Sequence, residues 1–171
     1  LKETASTYYL MDEKIDNGNI LSQKTIKITR NDNATKLYYK IAKVAKKQIL
    51  ELVLNIYKNK KIKIINNKKS IGNYWRSRSF IDGQINWNST PEIINNLVRS
   101  LTFPYPNAHF IYKDKIIKVL KSKIGRNNNK NIESGKIISI KNNNYEIKCG
   151  VYSIYLLKIY PKIKMKVGEY I

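Results

Sequence analysis

One cysteine and one histidine are all that this 171-residue chain holds of the side chains that most often bind metals or act as nucleophiles. A lone Cys149 cannot close a disulfide within the chain, and it suits a reducing compartment. One His109 supplies neither a His-x-x-x-His zinc pair nor the clustered ligands of a structural metal site, so no metal is expected. With so few such groups, a complete hydrolase triad or zinc deaminase centre has no basis here. His109 reads first as a structural or surface residue.

Other absences narrow the field further. There is no glycine-rich phosphate loop. No apolar run reaches 18 residues, so no membrane-spanning helix is expected. Leu1–Met11 reads as interior sequence, with no charged leader followed by an apolar stretch, and no signal peptide is expected. The cytoplasm is the expected location. Acidic residues are scarce, 12 against 33 Lys and Arg, giving a formal charge of +21. That excess invites a polyanionic partner. It is carried mostly by Lys spread along a chain also rich in Asn and Ile, which an A/T-rich coding bias would produce equally well.

What is present suffices for a folded protein. Apolar residues make up 42% and there are 13 Tyr, against the low aromatic and β-branched content of disordered chains. Thr4–Ile20 reads extended, turn, extended, with Asn17-Gly18 as the turn. Ile20–Ile28 continues β-like. From Ala34 the apolar positions Leu37, Ile41, Val44, Gln48, Leu52 and Ile56 take up three- and four-residue spacing, predicting a long amphipathic helix. Its Lys36, Lys40, Lys43, Lys46 and Lys47 read as a solvated face, with a binding stripe as the other reading. Ile62–Ile65 is a short β-like piece. Ser89 and Glu92 have capping-box spacing ahead of a second helix, with Pro91 in its first turn.

After Pro106 the pattern becomes short β-like segments: Phe110–Tyr112, Ile116–Leu120, Gly135–Ile140, Tyr145–Cys149 and Tyr152–Tyr160. Turn-rich pieces such as Gly125–Asn131 and Asn142–Asn144 separate them, which predicts a small antiparallel barrel. The expected division is 1–87 and 88–171, the second part starting with a linker helix.

Two constellations could carry chemistry. Asp16, beside Asn17-Gly18, either shapes its own turn or acts as an acid, a base or the orienting partner of an imidazole. Tyr74-Trp75-Arg76-Ser77-Arg78, followed by Asp82-Gly83-Gln84-Ile85-Asn86-Trp87, places two guanidinium groups two residues apart. In an extended piece they would share a side and could grip a phosphate or carboxylate. A packed loop closing the core is the other reading.

These residues resemble a known family. Glu3 to Ile20, with Met11-Asp12 and Asp16-Asn17-Gly18, resembles the "TG-x-T-x-H-x-M-D-x-x-x-D-x-G-D-I" segment of folate-dependent formyltransferases. Arg76-Ser77-Arg78 with Asp82-Gly83-Gln84-Ile85-Asn86-Trp87 resembles the family's "R-x-P-E-D-G-x-I-D-W". Ile94–Ala108, ending Arg99-Ser100-Leu101-Thr102-Phe103-Pro104-Tyr105-Pro106-Asn107-Ala108, is similar to "I-x-N-L-I-R-A-L-T-x-P-Y-P-G-A". Gly135-Lys136-Ile137 resembles a "G-x-I" strand. Departures are Ala5 and Ser6, Tyr9 near the usual His, Asn19 for Asp, Asn107 for Gly, and Ser79-Phe80 in place of Pro-Glu.

The resemblance implies an α/β fold: the C-terminal part of a Rossmann-like formyltransferase domain, followed by the small antiparallel β-barrel domain. It implies 10-formyltetrahydrofolate as formyl donor, bound mainly by a preceding N-terminal half. That half would also hold a catalytic Asn and His, so this chain reads as an enzyme fragment, inactive alone. Asp16 would be the catalytic Asp, on a turn shaped by Asn17 and Gly18. Tyr74, Arg76 and Arg78 would bind the acceptor, and Arg99, Pro104, Tyr105 and Pro106 would form an interdomain motif. The Arg78–Gly83 loop and Pro104–Pro106 look closer to enzymes acting on a nucleotide-linked amino sugar. Methionyl-tRNA is the competing acceptor, and a noncatalytic basic RNA-binding module is a third reading. The oligomeric state, a dimer included, stays open.

Overall fold

The computed structural model describes residues 1–13, 18–67 and 75–171. The chain divides into two compact units, Leu1–Arg76 and Ser77–Ile171. This division falls earlier than the expected 87/88 boundary, because Ile85 and Trp87 are buried in the core of the second unit.

In the first unit, β1 (Glu3–Tyr9) and β2 (Ile20–Lys27) form an antiparallel pair, and α1 (Ala34–Tyr57) follows. Asn33 caps α1, its side chain accepting from the Lys36 amide at 2.9 Å, which satisfies one of the amides left unpaired at a helix start. The capping segment is braced by Asp32. Its carboxylate accepts from the Thr29 amide at 2.7 Å and from Lys40 Nζ at 2.7 Å. The Lys40 hydrogen bond, then the Thr29 amide, hold that carboxyl at about 2. The predicted apolar stripe of α1 includes one polar member, Gln48, at 1% exposure. Its Nε2 donates to the Ser6 carbonyl at 3.2 Å and to Ser22 Oγ at 3.0 Å, tying helix to hairpin. Lys36, Lys43, Lys46 and Lys47 are exposed, as a solvated face requires, whereas Lys40 is half-buried in its pair with Asp32. The β-like Ile62–Ile65 reduces to one bridge, Ile65 with Ile20.

The second unit opens with a 3-10 turn, Phe80–Gly83, and α2 (Pro91–Ser100). The cap of α2 is Thr90, whose Oγ1 accepts from the Ile93 amide, rather than Ser89. Proline lacks an amide proton and is favoured at the first helical position, so Pro91 makes its predecessor the cap. Five strands follow: β3 (Ala108–Tyr112), β4 (Lys115–Ile124), β5 (Ile137–Lys141), β6 (Asn144–Lys148) and β7 (Ser153–Tyr160). They form an antiparallel sheet ordered β3-β4-β7-β6-β5. Two hairpins are tight: Lys113-Asp114 joins β3 to β4, and Asn142-Asn143 joins β5 to β6. All four residues have positive φ, the geometry that matches the twist of a two-residue hairpin and that Asn and Asp tolerate.

One face of the sheet builds the core. Phe110, Ile117, Val119, Ile137, Ile147, Ile154 and Leu156 are at most 1% exposed and pack with Ile94 and Val98 of α2. Each such side chain contributes roughly 1.5–3 kcal/mol of burial. Among the described residues no ladder joins β3 to β5, so the expected closed barrel is not formed by strand pairing. Instead the tail ties the two outer strands. Gly168 N donates to the Ile137 carbonyl and Ile137 N to the Glu169 carbonyl, both at 2.9 Å. The Glu169 carboxylate accepts from Tyr112 Oη at 2.6 Å and Lys113 Nζ at 3.1 Å on the other edge. Among the described residues no helix is long and apolar enough to cross a membrane.

Candidate functional site

Asp16, Asn17 and Tyr74 lie outside the described residues. The strand ends on either side of Asp16 and Asn17 are described: Leu10 N donates to the Asn19 carbonyl at 2.8 Å, drawing the two strand ends together. Gly18 is buried there, and a Cβ on it would run into the Leu10 carbonyl. Glycine at 18 is therefore a packing requirement where it meets Leu10.

Arg76 is the last residue of the first unit, and Arg78 is the second residue of the second. Arg78 is on a well-built segment. Ser79 donates its amide to Asp82 Oδ2 at 2.7 Å, while Asp82 Oδ1 lies 3.6 Å from Arg78 Nη1. The guanidinium side chain remains 59% exposed, so it can meet a ligand. The turn rests on His109. Phe80 stacks on the imidazole with centroids 4.0 Å apart and planes at 19°. Ile85 N donates to the His109 carbonyl at 2.8 Å. The imidazole is 2% exposed. Burial lowers its pKa, the Asn107 carbonyl pulls the other way, and Lys118 adds a smaller lowering.

The segment after α2 is equally fixed. Arg99 donates to Asn96 Oδ1 at 3.2 Å and its carbonyl accepts from Thr102 Oγ1 at 3.3 Å. Tyr105 N donates to the Thr102 carbonyl at 3.0 Å, the Phe103–Pro104 peptide is cis, and Tyr105 is 54% exposed. Pro104, Tyr105 and Pro106 thus shape the entry into β3 within the second unit. Asn107 has φ of +72°, a left-handed conformation that explains why glycine is the residue it replaces in the motif.

The feature that sequence reading missed is the sheet face turned away from the core. Cross-strand partners share a face. His109, Lys118 and Tyr160 form one row, Lys121 and Lys158 the next, and Lys123 pairs with Tyr155. Lys121, Lys123, Lys158 and Tyr160 are exposed. Register shifts flank Lys121. They let Lys118 and Lys121, three apart in sequence, point the same way, which strict alternation forbids. At the β5–β6 end the face changes character. Glu146, 6% exposed, accepts from Ser139 Oγ and Ser153 Oγ, both at 2.7 Å.

Comparison with known proteins places this geometry in context. The family model described as "Formyl transferase, C-terminal domain" matches residues 80–171. The chain is 40% identical over 123 residues to the bifunctional polymyxin resistance protein ArnA of Wigglesworthia glossinidia brevipalpis, covering 72% of this chain and 19% of that protein. It is 34% identical over 149 residues to the methionyl-tRNA formyltransferase of Pelagibacter ubique, covering 87% of this chain and 46% of that one. Among solved structures, an N-formyltransferase from Helicobacter canadensis, in complex with folinic acid and dTDP-3-aminofucose, shares the fold. Its TM-score is 0.65 at 20% identity, covering 91% of this chain and 55% of that one. The chain thus spans about half or less of the length of these relatives.

Proposed function

This chain belongs to the formyltransferase family, and from that premise we propose that the whole protein transfers the formyl group of 10-formyltetrahydrofolate to the amine of methionyl-tRNA. The observation that carries the choice of acceptor is the outward row of Lys118, Lys121, Lys123 and Lys158 with Tyr155 and Tyr160. Lysines on one sheet face neutralise phosphates of a long polyanion, and flanking tyrosines offer flat partners to bases. The motifs alone lean toward an amino sugar. The shifts around Lys121 concentrate charge that looks dispersed in the sequence, and this supports the RNA.

The chemistry needs a neutral amine attacking the formyl carbon. In this reading Asp16 holds and electrostatically supports a His supplied by a preceding half, which takes the proton that the amine loses. An Asn from the same half steadies the developing oxyanion. Donor binding falls mainly to that half. Arg78 meets a phosphate of the acceptor, and the reaction belongs to the cytoplasm.

A second reading keeps the nucleotide-linked amino sugar. The exposed Arg78, backed by Asp82 at 3.6 Å, is a single anion contact of a size that suits a nucleotide phosphate. One assay separates the two: the protein recovered with its upstream coding sequence, 10-formyltetrahydrofolate, and either methionyl-tRNA or a panel of nucleotide-linked amino sugars. Formylation of methionyl-tRNA, lost in Asp16→Asn, meets the proposal. Its KM should rise more steeply with salt than that of a variant lacking Lys121 and Lys158, each lysine adding about 0.7–0.9 to the slope of log affinity against log salt. Turnover of a sugar alone would overturn the RNA reading.

A further inference from the structure

We propose that His109 is a positioning residue: its neutral, buried ring is the pedestal on which the Phe80–Gly83 turn rests, and it thereby sets the reach of Arg78 toward a phosphate of the acceptor. The proposal rests on the reading of Arg78 as an acceptor contact and goes beyond it, because His109 itself touches no ligand.

Three independent features join His109 to the turn, two of them through its ring. The first is the Phe80 stack at 4.0 Å. The second is backbone pairing: Ile85 N donates to the His109 carbonyl, and Gln84 bridges to His109 in parallel. The third is the absence of a side chain at Gly83. A Cβ there would lie 3.3 Å from His109 Nδ1 and 3.4 Å from Leu101 Cδ1, so glycine allows the turn to settle directly on the ring. Asp82 of the same turn then reaches back to both the Ser79 amide and Arg78. Moving Phe80 or Gly83 moves the carboxylate that holds the guanidinium.

The ring must be neutral for this seat to exist. Nδ1 is buried and has no hydrogen-bond partner. A protonated imidazole would carry a second N–H into that position, and burial opposes the charge more strongly than the Asn107 carbonyl favours it. The charged groups on the elements packed around it are Lys118 of β4, directly across the strand, and Arg78 and Asp82 of the turn segment. Lys118 repels a charge on the ring, while Asp82 is engaged with Ser79 and Arg78. Acid therefore works against the seat, because a charged ring is disfavoured where Phe80 and Gly83 close over it.

This gives a sign that simple electrostatics does not. Adding a proton beside a basic RNA face should strengthen RNA binding if only Coulomb attraction acts. The pedestal predicts weaker binding as pH falls through the imidazole transition, which burial sets below the ordinary value of about 6.5.

The test uses the 171-residue chain and a methionine tRNA transcript, with affinity read by fluorescence anisotropy. His109 is the chain's one histidine, so its ring resonances report protonation without assignment. His109→Ala should weaken binding about fivefold, as Arg78→Ala does, the size of one partly exposed charged contact. The double variant should bind no more weakly than Arg78→Ala alone, because both changes remove the same contact. His109→Phe keeps a flat neutral ring. It should bind like the unaltered chain and lose the fall in affinity at low pH, and it keeps the question answerable should His109→Ala fail to fold. Multiplying effects in the double variant, a His109→Phe as weak as His109→Ala, or tighter binding on protonation would each overturn the proposal while leaving Arg78 as a contact. An unaltered chain that does not bind the transcript would overturn the acceptor reading, and the pedestal's role in binding with it.

Discussion

Ser153→Ala is expected to be among the most damaging single-atom deletions in the second unit. Ser153 is 0% exposed. Its Oγ donates to Glu146 Oε1 at 2.7 Å and accepts from the Asn127 amide at 3.2 Å. Alanine removes the donor and leaves a carboxylate oxygen in a site that water does not reach. A hydrogen bond to a charged group is worth about 1.5–3 kcal/mol, and more of that is felt when the survivor stays buried. The Asn127 amide is on a half-buried loop and can turn to solvent, so it adds little. The cost should be about 2 kcal/mol, or roughly 8–16 °C in Tm at 4–8 °C per kcal/mol for a unit of this size. Ser139 makes the same 2.7 Å bond to the other oxygen but is only half-buried. Water can replace its hydroxyl, and Ser139→Ala should cost about 0.5–1 kcal/mol.

Thermal and urea unfolding of the two variants give the comparison. In a Glu146→Gln background, Ser153→Ala should cost about 1 kcal/mol less, since the charge that made its bond strong has gone. Equal costs for Ser139→Ala and Ser153→Ala would refute the reasoning. They would mean that burial of the lost hydroxyl, the one feature that separates the two serines, has no bearing on the loss.

Further outcomes follow from single positions. Asn107→Ala should destabilise by about 1 kcal/mol while Asn107→Gly should not, because φ of +72° suits only residues that tolerate the left-handed region; urea midpoints measure both. Gly150→Ala should cost about 1–3 kcal/mol, since a Cβ would drive into the Asn88 carbonyl and Gly150 N already donates to the Ser89 carbonyl at 3.1 Å; its Tm should fall, and an unchanged Tm would contradict the packing. The tail should loosen in acid. Tyr112, then the Lys166 amide and Lys113, hold the Glu169 carboxyl at about 2, below its ordinary 4.5. A depressed folded-state value stabilises above the ordinary one and is lost as pH falls from about 4.5 toward 2. Amide exchange at Gly168 should accelerate across that window, and earlier in Tyr112→Phe.

Much of the fold was legible because local chemistry and tertiary packing agree. The spacing of Leu37, Ile41, Val44, Gln48 and Leu52 from Ala34 onward gave α1. Asn142-Asn143 marked a hairpin that positive φ makes tight. What was not legible involved partners distant in sequence. Nothing near His109 signals that Phe80 stacks on it, and nothing near Glu169 signals Tyr112. The Ser89–Glu92 spacing misled because Pro91 fixes the cap at Thr90. The 87/88 boundary followed motif blocks, whereas compactness follows Ile85 and Trp87.

The lysine row shows why a charge can hide in a β pattern. Lys118, Lys121 and Lys123 break alternation, so a strand reading puts Lys118 and Lys121 on opposite faces. The register shows two offsets that cancel: Val119 pairs Ile159 but Lys121 pairs Lys158, and then Ser122 pairs Leu156. Leu120 is the extra residue on β4 and Leu157 the extra on β7. Together they change the phase of both strands at once, so the rows beyond, Lys123 with Tyr155 and Ile124 with Ile154, stay matched. Deleting Leu120 alone should slide half of β4 by one residue, sending Ile124 and Ser122 out of line with Ile154 and Leu156, and abolish the cooperative transition. Deleting Leu120 and Leu157 together should restore plain alternation, keep the lysines outward and retain a folded sheet, at a lower Tm because the local twist is lost. Circular dichroism melts of the two proteins decide it. If the single deletion melts as cooperatively as the double, the offsets are not what orients the row.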